Sequence, residues 1–320
     1  ISLYFLITVA GSLGLGKAAS DGVRVYRYTS IPLRFAEGNV KIKARSGYIA
    51  YEGNVKDGYA EGYGNLYSKD SNLIYSGEFG HGRYNGTGTL FYADGQTQYE
   101  GEFADNCFQG TGILYRLNGS KEYEGDFLNG CKEGQGSLFD SGDNIIFTGA
   151  FHCDGLVYSQ FLAKKTSEIG NIYTGSSRIY SNDADTLVYM EDIQAMYRID
   201  QMQTSVEDEP VISQVYVLNS ELIYGQTVIS SLDDLTKVMG EPEFQGNTYI
   251  TLPEAVAVEL INQKGNPLNI DTQLETAAVY DEVQTVESYQ TMSEIYLYVY
   301  QTDDLIYTFF CEDRNAPFFM

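Results

Sequence analysis

The chain has 320 residues, 43% of them hydrophobic, and a net charge of −24. That apolar fraction excludes a disordered chain, and an acidic body of this size repels phosphate backbones, so no nucleic-acid partner is expected. Four cysteines without a CxxC pair, and only two histidines, give neither a disulfide framework nor an expected zinc site.

Residues 1–16 read ISLYFLITVAGSLGLG and contain no charge. They fall short of the roughly 20 apolar residues that span a bilayer, and are expected to be a truncated membrane-anchor or signal segment. A buried strand or helix of a soluble domain is the plainer alternative.

Residues 17–50 are a basic neck with seven Lys and Arg against two acids. Val23 and Val25, then Val40, Ile42 and Ala44, alternate as strands do. The basic side chains fit a solvated strand face, or else contact with lipid headgroups.

A repeat follows. Tyr51, Tyr75, Tyr99, Tyr123 and Phe147 stand at intervals of 24 residues. The third unit reads YEGEFADNCFQGTGILYRLNGSKE and the fourth YEGDFLNGCKEGQGSLFDSGDNII. A fifth begins FTGAF and then loses the pattern, and IYTGSSRIY, with Tyr173 and Gly175, reads as a decayed sixth. Fixed self-similarity at this period marks a repeat array.

Within a unit the period is 2. Tyr99, Gly101 and Phe103 alternate with Glu100 and Glu102, predicting a strand with one acidic face. Seven residues after each unit start stand Gly58, Gly82, Asn106 and Gly130, the residue types for a positive-φ turn position. A second alternating run leads to Asp94-Gly95 or Asn118-Gly119, both hairpin signals. Each unit is therefore one hairpin in a meander. The glycine pairs 62/64, 86/88, 110/112 and 134/136 suggest that aromatic rings lie across bare backbone. A lone hairpin cannot bury its face, so each unit walls the next. Cys107 and Cys131, at equivalent places in adjacent units, are two strands apart and are expected to be free thiols.

These residues resemble the MORN (membrane occupation and recognition nexus) repeat family, over about 51–151. The family's usual Trp is replaced by Val55, Phe79, Phe103 and Phe127. The resemblance implies an elongated antiparallel sheet used for protein or lipid contact, without activity of its own. The acidic balance makes direct lipid binding by the repeats an unexpected outcome.

Residues 161–210 read as transitional, and an α+β domain is expected over 211–320, after a repeat sheet over 51–160. VISQVYVL suits a strand. Ser231 caps a helix whose apolar face is Leu232, Leu235, Val238 and Met239, and Gly240 and Pro242 end it. Residues 253–261 form a strand or a short helix, and 295–300 and 305–310 a closing hairpin. The segment SLDDLTKVMGEPEF is similar to an element of bacterial envelope lipoprotein domains of the BamE/SmpA-like kind, which points to an extracytoplasmic setting.

The fold class expected is thus mainly β: an antiparallel meander of 24-residue hairpins followed by a small α+β domain. No nucleophile–base set, P-loop or cofactor motif stands out, so no enzyme activity, cofactor or metal is expected. The expected function is a membrane-tethered scaffold at the cell envelope, touching a protein partner and touching the membrane through its N-terminal segment. Its candidate interaction surface is Tyr51, Tyr75, Phe79, Tyr99, Phe103, Tyr123 and Phe127, with Glu100, Glu102, Glu124 and Asp126. The acidic ladder is read as a solvated face, with Ca²⁺ or a basic partner as the sharper alternative. Other readings are the regulatory or substrate-positioning portion of an enzyme whose catalytic domain lies upstream of Ile1, and a glycan- or wall-binding module. The extracytoplasmic face is the expected location. The basic neck, read by the positive-inside rule, argues for the cytoplasmic one.

Overall fold

The computed structural model describes residues 17–18, 22–181, 185–200, 209–218, 222–224, 227–229, 231–252, 255–256, 259, 283–285, 291–301 and 305–311. The expected anchor, residues 1–16, lies outside them. Among the described residues no helix is long and apolar enough to cross a membrane. The chain divides into two compact units, Ile1–Asn144 and Ile145–Met320.

The first unit is one sheet whose strands lie in sequence order. It opens with β1 (Lys17–Ala18), β2 (Arg24–Arg27) and β3 (Gly38–Lys43). Four hairpins follow: β4 (Ile49–Lys56) with β5 (Tyr59–Tyr67), β6 (Leu73–Gly80) with β7 (Arg83–Phe91), β8 (Thr97–Ala104) with β9 (Cys107–Tyr115), and β10 (Lys121–Leu128) with β11 (Cys131–Phe139). All pairings are antiparallel except β2 with β3, which are parallel and joined through a 3-10 helix, Ile31–Phe35. Because β3 pairs with β4 over Gly38 to Lys43, the basic neck is not a separate piece but the start of the repeat sheet.

The hairpin turns take two residues. Asp57-Gly58, His81-Gly82, Asp105-Asn106 and Asn129-Gly130 all have positive φ, from +50° to +92°. Two left-handed central residues give the turn whose twist matches the strands it joins. Three of the turns also bond to the second strand of the preceding hairpin. The amides of Gly82, Asn106 and Gly130 donate to the carbonyls of Ala60, Tyr84 and Phe108 at 2.8, 3.0 and 2.9 Å.

The second unit begins with β12 (Ile145–His152), paired to β13 (Gly155–Leu156), and a one-turn helix α1 (Thr166–Ile169). One sheet holds β14 (Ser177–Ser181), β15 (Asp185–Met190), β16 (Ala195–Asp200) and β17 (Ile212–Val217). A short pair, β18 (Leu222–Tyr224) and β19 (Thr227–Ile229), precedes α2 (Leu232–Met239). Then come β20 (Phe244–Leu252), β21 (Val283–Thr285), β22 (Thr291–Gln301) and β23 (Ile306–Cys311). The five-stranded sheet runs β17-β16-β15-β14-β21 and the three-stranded one β20-β22-β23.

This corrects the expected boundary at 210/211. β17 is hydrogen-bonded to β16 from Ala195 to Ile199, so the transitional region and the C-terminal domain share a sheet. The helix is where the sequence puts it. Ser231 Oγ accepts the Asp234 amide at 3.2 Å, and Gly240 follows at φ +84°. Of its expected apolar face Leu235 is buried at 1% exposure, whereas Val238 and Met239 are 37% and 40% exposed. Tyr180, Leu187, Tyr189, Met196 and Leu297 belong to one core cluster. Beside it lies a fully buried carboxylate, Glu259, which pairs with Arg178 at 2.8 Å and accepts the Tyr180 hydroxyl.

Candidate interaction surface

The unit-opening tyrosines do one local job. Each hydroxyl donates to the backbone carbonyl three residues on: Tyr51 to Asn54 at 2.6 Å, Tyr75 to Glu78 at 2.9 Å, Tyr99 to Glu102 and Tyr123 to Asp126 at 3.0 Å. To reach it the ring lies flat across two strands, and that is why the cross-strand partners are both glycine. Gly53 faces Gly64, Gly77 faces Gly88, Gly101 faces Gly112 and Gly125 faces Gly136. A Cβ on Gly64, Gly88, Gly112 or Gly136 would collide with the tyrosine hydroxyl and ring. In the second unit Tyr173 repeats the device, donating to Ser176 at 2.5 Å, so the decayed sixth copy keeps the lock.

The other glycine of each sequence pair has a different reason. Gly62, Gly86, Gly110 and Gly134 have φ of +73°, +64°, +58° and +72°, at the point where the register shifts. At this bulge a carboxylate from the partner strand replaces the broken ladder. Glu102 Oε1 accepts the Thr111 amide at 3.1 Å, Glu78 Oε1 the Thr87 amide at 3.2 Å, and Asp126 Oδ2 the Gln135 amide at 3.0 Å.

The phenylalanines interleave with the tyrosines. Within a unit Tyr99 meets Phe103 edge-on at 5.0 Å; between units Tyr75 meets Phe103 at 5.2 Å and Tyr99 meets Phe127 at 5.1 Å. The result is a continuous row of T-shaped contacts, the favoured geometry for ring quadrupoles.

The expected surface is therefore corrected in its aromatic part. Tyr51, Tyr75, Phe79, Tyr99, Phe103, Tyr123 and Phe127 are all buried, at 6% exposure or less, because each ring is covered by the next unit. They are the wall, not the contact. The acidic part divides. Glu102 and the half-buried Asp126 serve the bulges; Glu124 pairs with Lys121 at 2.7 Å. Glu100 stands exposed between Thr89 and Ile113 on the neighbouring strands.

What faces outward on the aromatic side is a second layer that the sequence reading passed over. Tyr84 stacks on Tyr75 at 3.9 Å, and Phe108 on Tyr99 at 3.8 Å, both at 12° between ring planes. Both rings are half-buried, and so are Leu90 and Leu114, which stand opposite Tyr75 and Tyr99 in the ladder. Burial pushes the Tyr84 hydroxyl up to about 12. The signal was present, since positions 60, 84, 108 and 132 are also 24 apart: Ala60, Tyr84, Phe108, Lys132. In the last unit Lys132 takes the ring's place, with its ammonium 5.5 Å from the Tyr123 ring centre and 2.9 Å from Glu122. The layer is thus two rings, closed at one end by a cation. The four cysteines are thiols rather than disulfides, Cys107 exposed and Cys131 half-buried.

Residues 51–72, 75–97, 99–121 and 123–144 match the MORN repeat family, so the chain carries four MORN repeats. Among curated proteins no match to the chain was found. MORN repeats are generally modules of protein or membrane interaction.

Proposed function

We propose that the chain is a non-catalytic scaffold whose MORN sheet holds a protein partner against the outer ring layer. The observation that carries this is the pair Tyr84 and Phe108, half-exposed on a row of rings that needs no further cover. Large rigid side chains of this kind supply contact area at little entropic cost. Leu90 and Leu114 widen the patch, and Lys132 with Glu122 gives it a charged rim. In this reading the apolar N-terminal segment tethers the sheet to a membrane, on its extracytoplasmic face.

The test is a photo-crosslinking residue at position 84 or 108, with position 89 on the opposite face as the comparison. Expressed in native membranes, the first two should give one discrete adduct with another protein. Adducts from position 89 alone would move the contact to the carboxylate face. No adduct from any position would remove the scaffold reading.

A further inference from the structure

A row of directly opposed residues crosses the repeat sheet from Glu52 through Ser76 and Glu100 to Glu124. It lies on the face away from Tyr84 and Phe108, because side chains alternate along each strand. Lysines of this chain meet two of its carboxylates: Lys41 reaches Glu52 at 3.2 Å and Lys121 reaches Glu124 at 2.7 Å. Glu100 is exposed and has neither a hydrogen bond nor an ion pair among the described residues.

The place around Glu124 shows what the place around Glu100 can take. Lys121 Nζ lies 5.2 Å from the centre of the Phe139 ring as well, so its ammonium is shared by a carboxylate and a ring face. One period earlier, positions 121, 124 and 139 become Thr97, Glu100 and Tyr115. The backbone is the same around both. Thr97 pairs with Phe91 as Lys121 pairs with Tyr115, each beside the same slip in register. Glu100 stands opposite Ile113, two residues before Tyr115; Glu124 stands opposite Ser137, two residues before Phe139. The carboxylate and the ring are thus repeated and the lysine is not. Phe139, under Lys121, is buried, whereas Tyr115 is half-buried. The charge of Glu100 reaches that ring. Burial first, and then Glu100, hold the Tyr115 hydroxyl above its ordinary value, against the pull of Lys121.

We propose that Glu100 and Tyr115 bind the ammonium of a lysine side chain from a partner protein, in the place that Lys121 fills one unit on. A lipid ammonium fits less well, because its headgroup carries a phosphate beside the amine. Residues 51–150 hold 6 Lys and Arg against 15 Asp and Glu, and so repel that phosphate. A lysine brings its charge alone, on a long apolar stem. A single exposed ion pair is weak, so the site fixes where a partner sits along the sheet more than how tightly it is held. The proposal goes beyond the ring-layer reading and uses none of its residues, so either can fail alone.

The experiment is a nuclear magnetic resonance titration of the full chain with Nα-acetyl-lysine methylamide at constant ionic strength. The uncharged Nα-acetyl-norleucine methylamide is the reference. Saturable shifts are expected around positions 97, 100 and 115, with an Overhauser contact from the ε-methylene of the probe to the Tyr115 ring; the norleucine compound should give neither. Glu100→Gln should abolish both signals. Thr97→Lys should abolish them too, by filling the site from within as the next unit does. Lys121→Thr should add a second set of signals at Phe139. Shifts that never saturate, that spread over all exposed carboxylates alike, or that survive Thr97→Lys overturn the proposal. Equal binding of O-phosphoethanolamine would assign the site to a lipid headgroup and likewise overturn it.

Discussion

Gly112 and Gly170 have ordinary negative φ, yet they should respond oppositely to one added methyl. At Gly112 the methyl meets the Tyr99 ring, held in place by its bond to Glu102; at Gly170 nothing lies within 4 Å. Gly112→Ala should cost about 1–3 kcal/mol, the usual range for forcing extra volume into a packed site, and Gly170→Ala should stay within about 0.5 kcal/mol. Denaturant midpoints of the two variants check this. The rings carry a pH signature as well. Burial pushes the Tyr75 and Tyr99 hydroxyls above the tyrosine range, and Tyr84 to about 12. A raised folded value means that the stability is whole below the unfolded tyrosine value of about 10, and drains away as pH climbs toward the folded one. Phenolate absorbance should therefore rise in two stages, the open tyrosines first and the stacked ones together with unfolding. A single smooth rise near the ordinary value would contradict the stacked packing.

Two acids on one strand separate the structural carboxylates from the free ones. Glu102 sits where β8 and β9 lose register and bonds the Thr111 amide and hydroxyl; Glu100, two residues earlier, sits in unbroken ladder. Glu102→Ala should cost about 1 kcal/mol, the worth of one hydrogen bond, and Glu100→Ala within about 0.5 kcal/mol. Thermal melts of the pair decide it. The sequence alone treats these two acids alike, because alternation reports only which face a side chain is on. It does not report where a ladder is interrupted. The turns are different: the second residue of each, held at positive φ, is Gly58, Gly82, Asn106 or Gly130, and so all four were readable. The buried fate of the tyrosines was half readable. The glycine pairs gave away the ring above them, but whether that ring is also covered depends on Phe79, Phe103 and Phe127 reaching across from neighbouring units.

At the scale of the whole chain, legibility follows contact range. The first unit is built from neighbours in sequence. The second pairs β14 with β21, Ile179 opposite Val283, and pairs the buried Glu259 with the exposed Arg178. No period announces such contacts, which explains the misplaced boundary at 210/211. The same contrast predicts how the chain tolerates shortening. Deleting residues 99–122, one whole period, leaves Tyr75 to be followed by Tyr123 in the same register; the protein should still melt cooperatively, at a lower temperature. Deleting 99–110 leaves β7 to be followed by the end of β9, from Thr111, with no tyrosine strand between, and calorimetry should show the transition lost. The hydroxyl-to-carbonyl bond and the glycine pair both lie inside a single hairpin, Tyr99 with Glu102 and Gly101 with Gly112. A copy made by unequal crossing-over between two such stretches of gene therefore arrives with its fastenings already in it, and needs no compensating change elsewhere. Length in this half of the molecule is a heritable quantity that can drift by whole steps, while the other half is held to a single size.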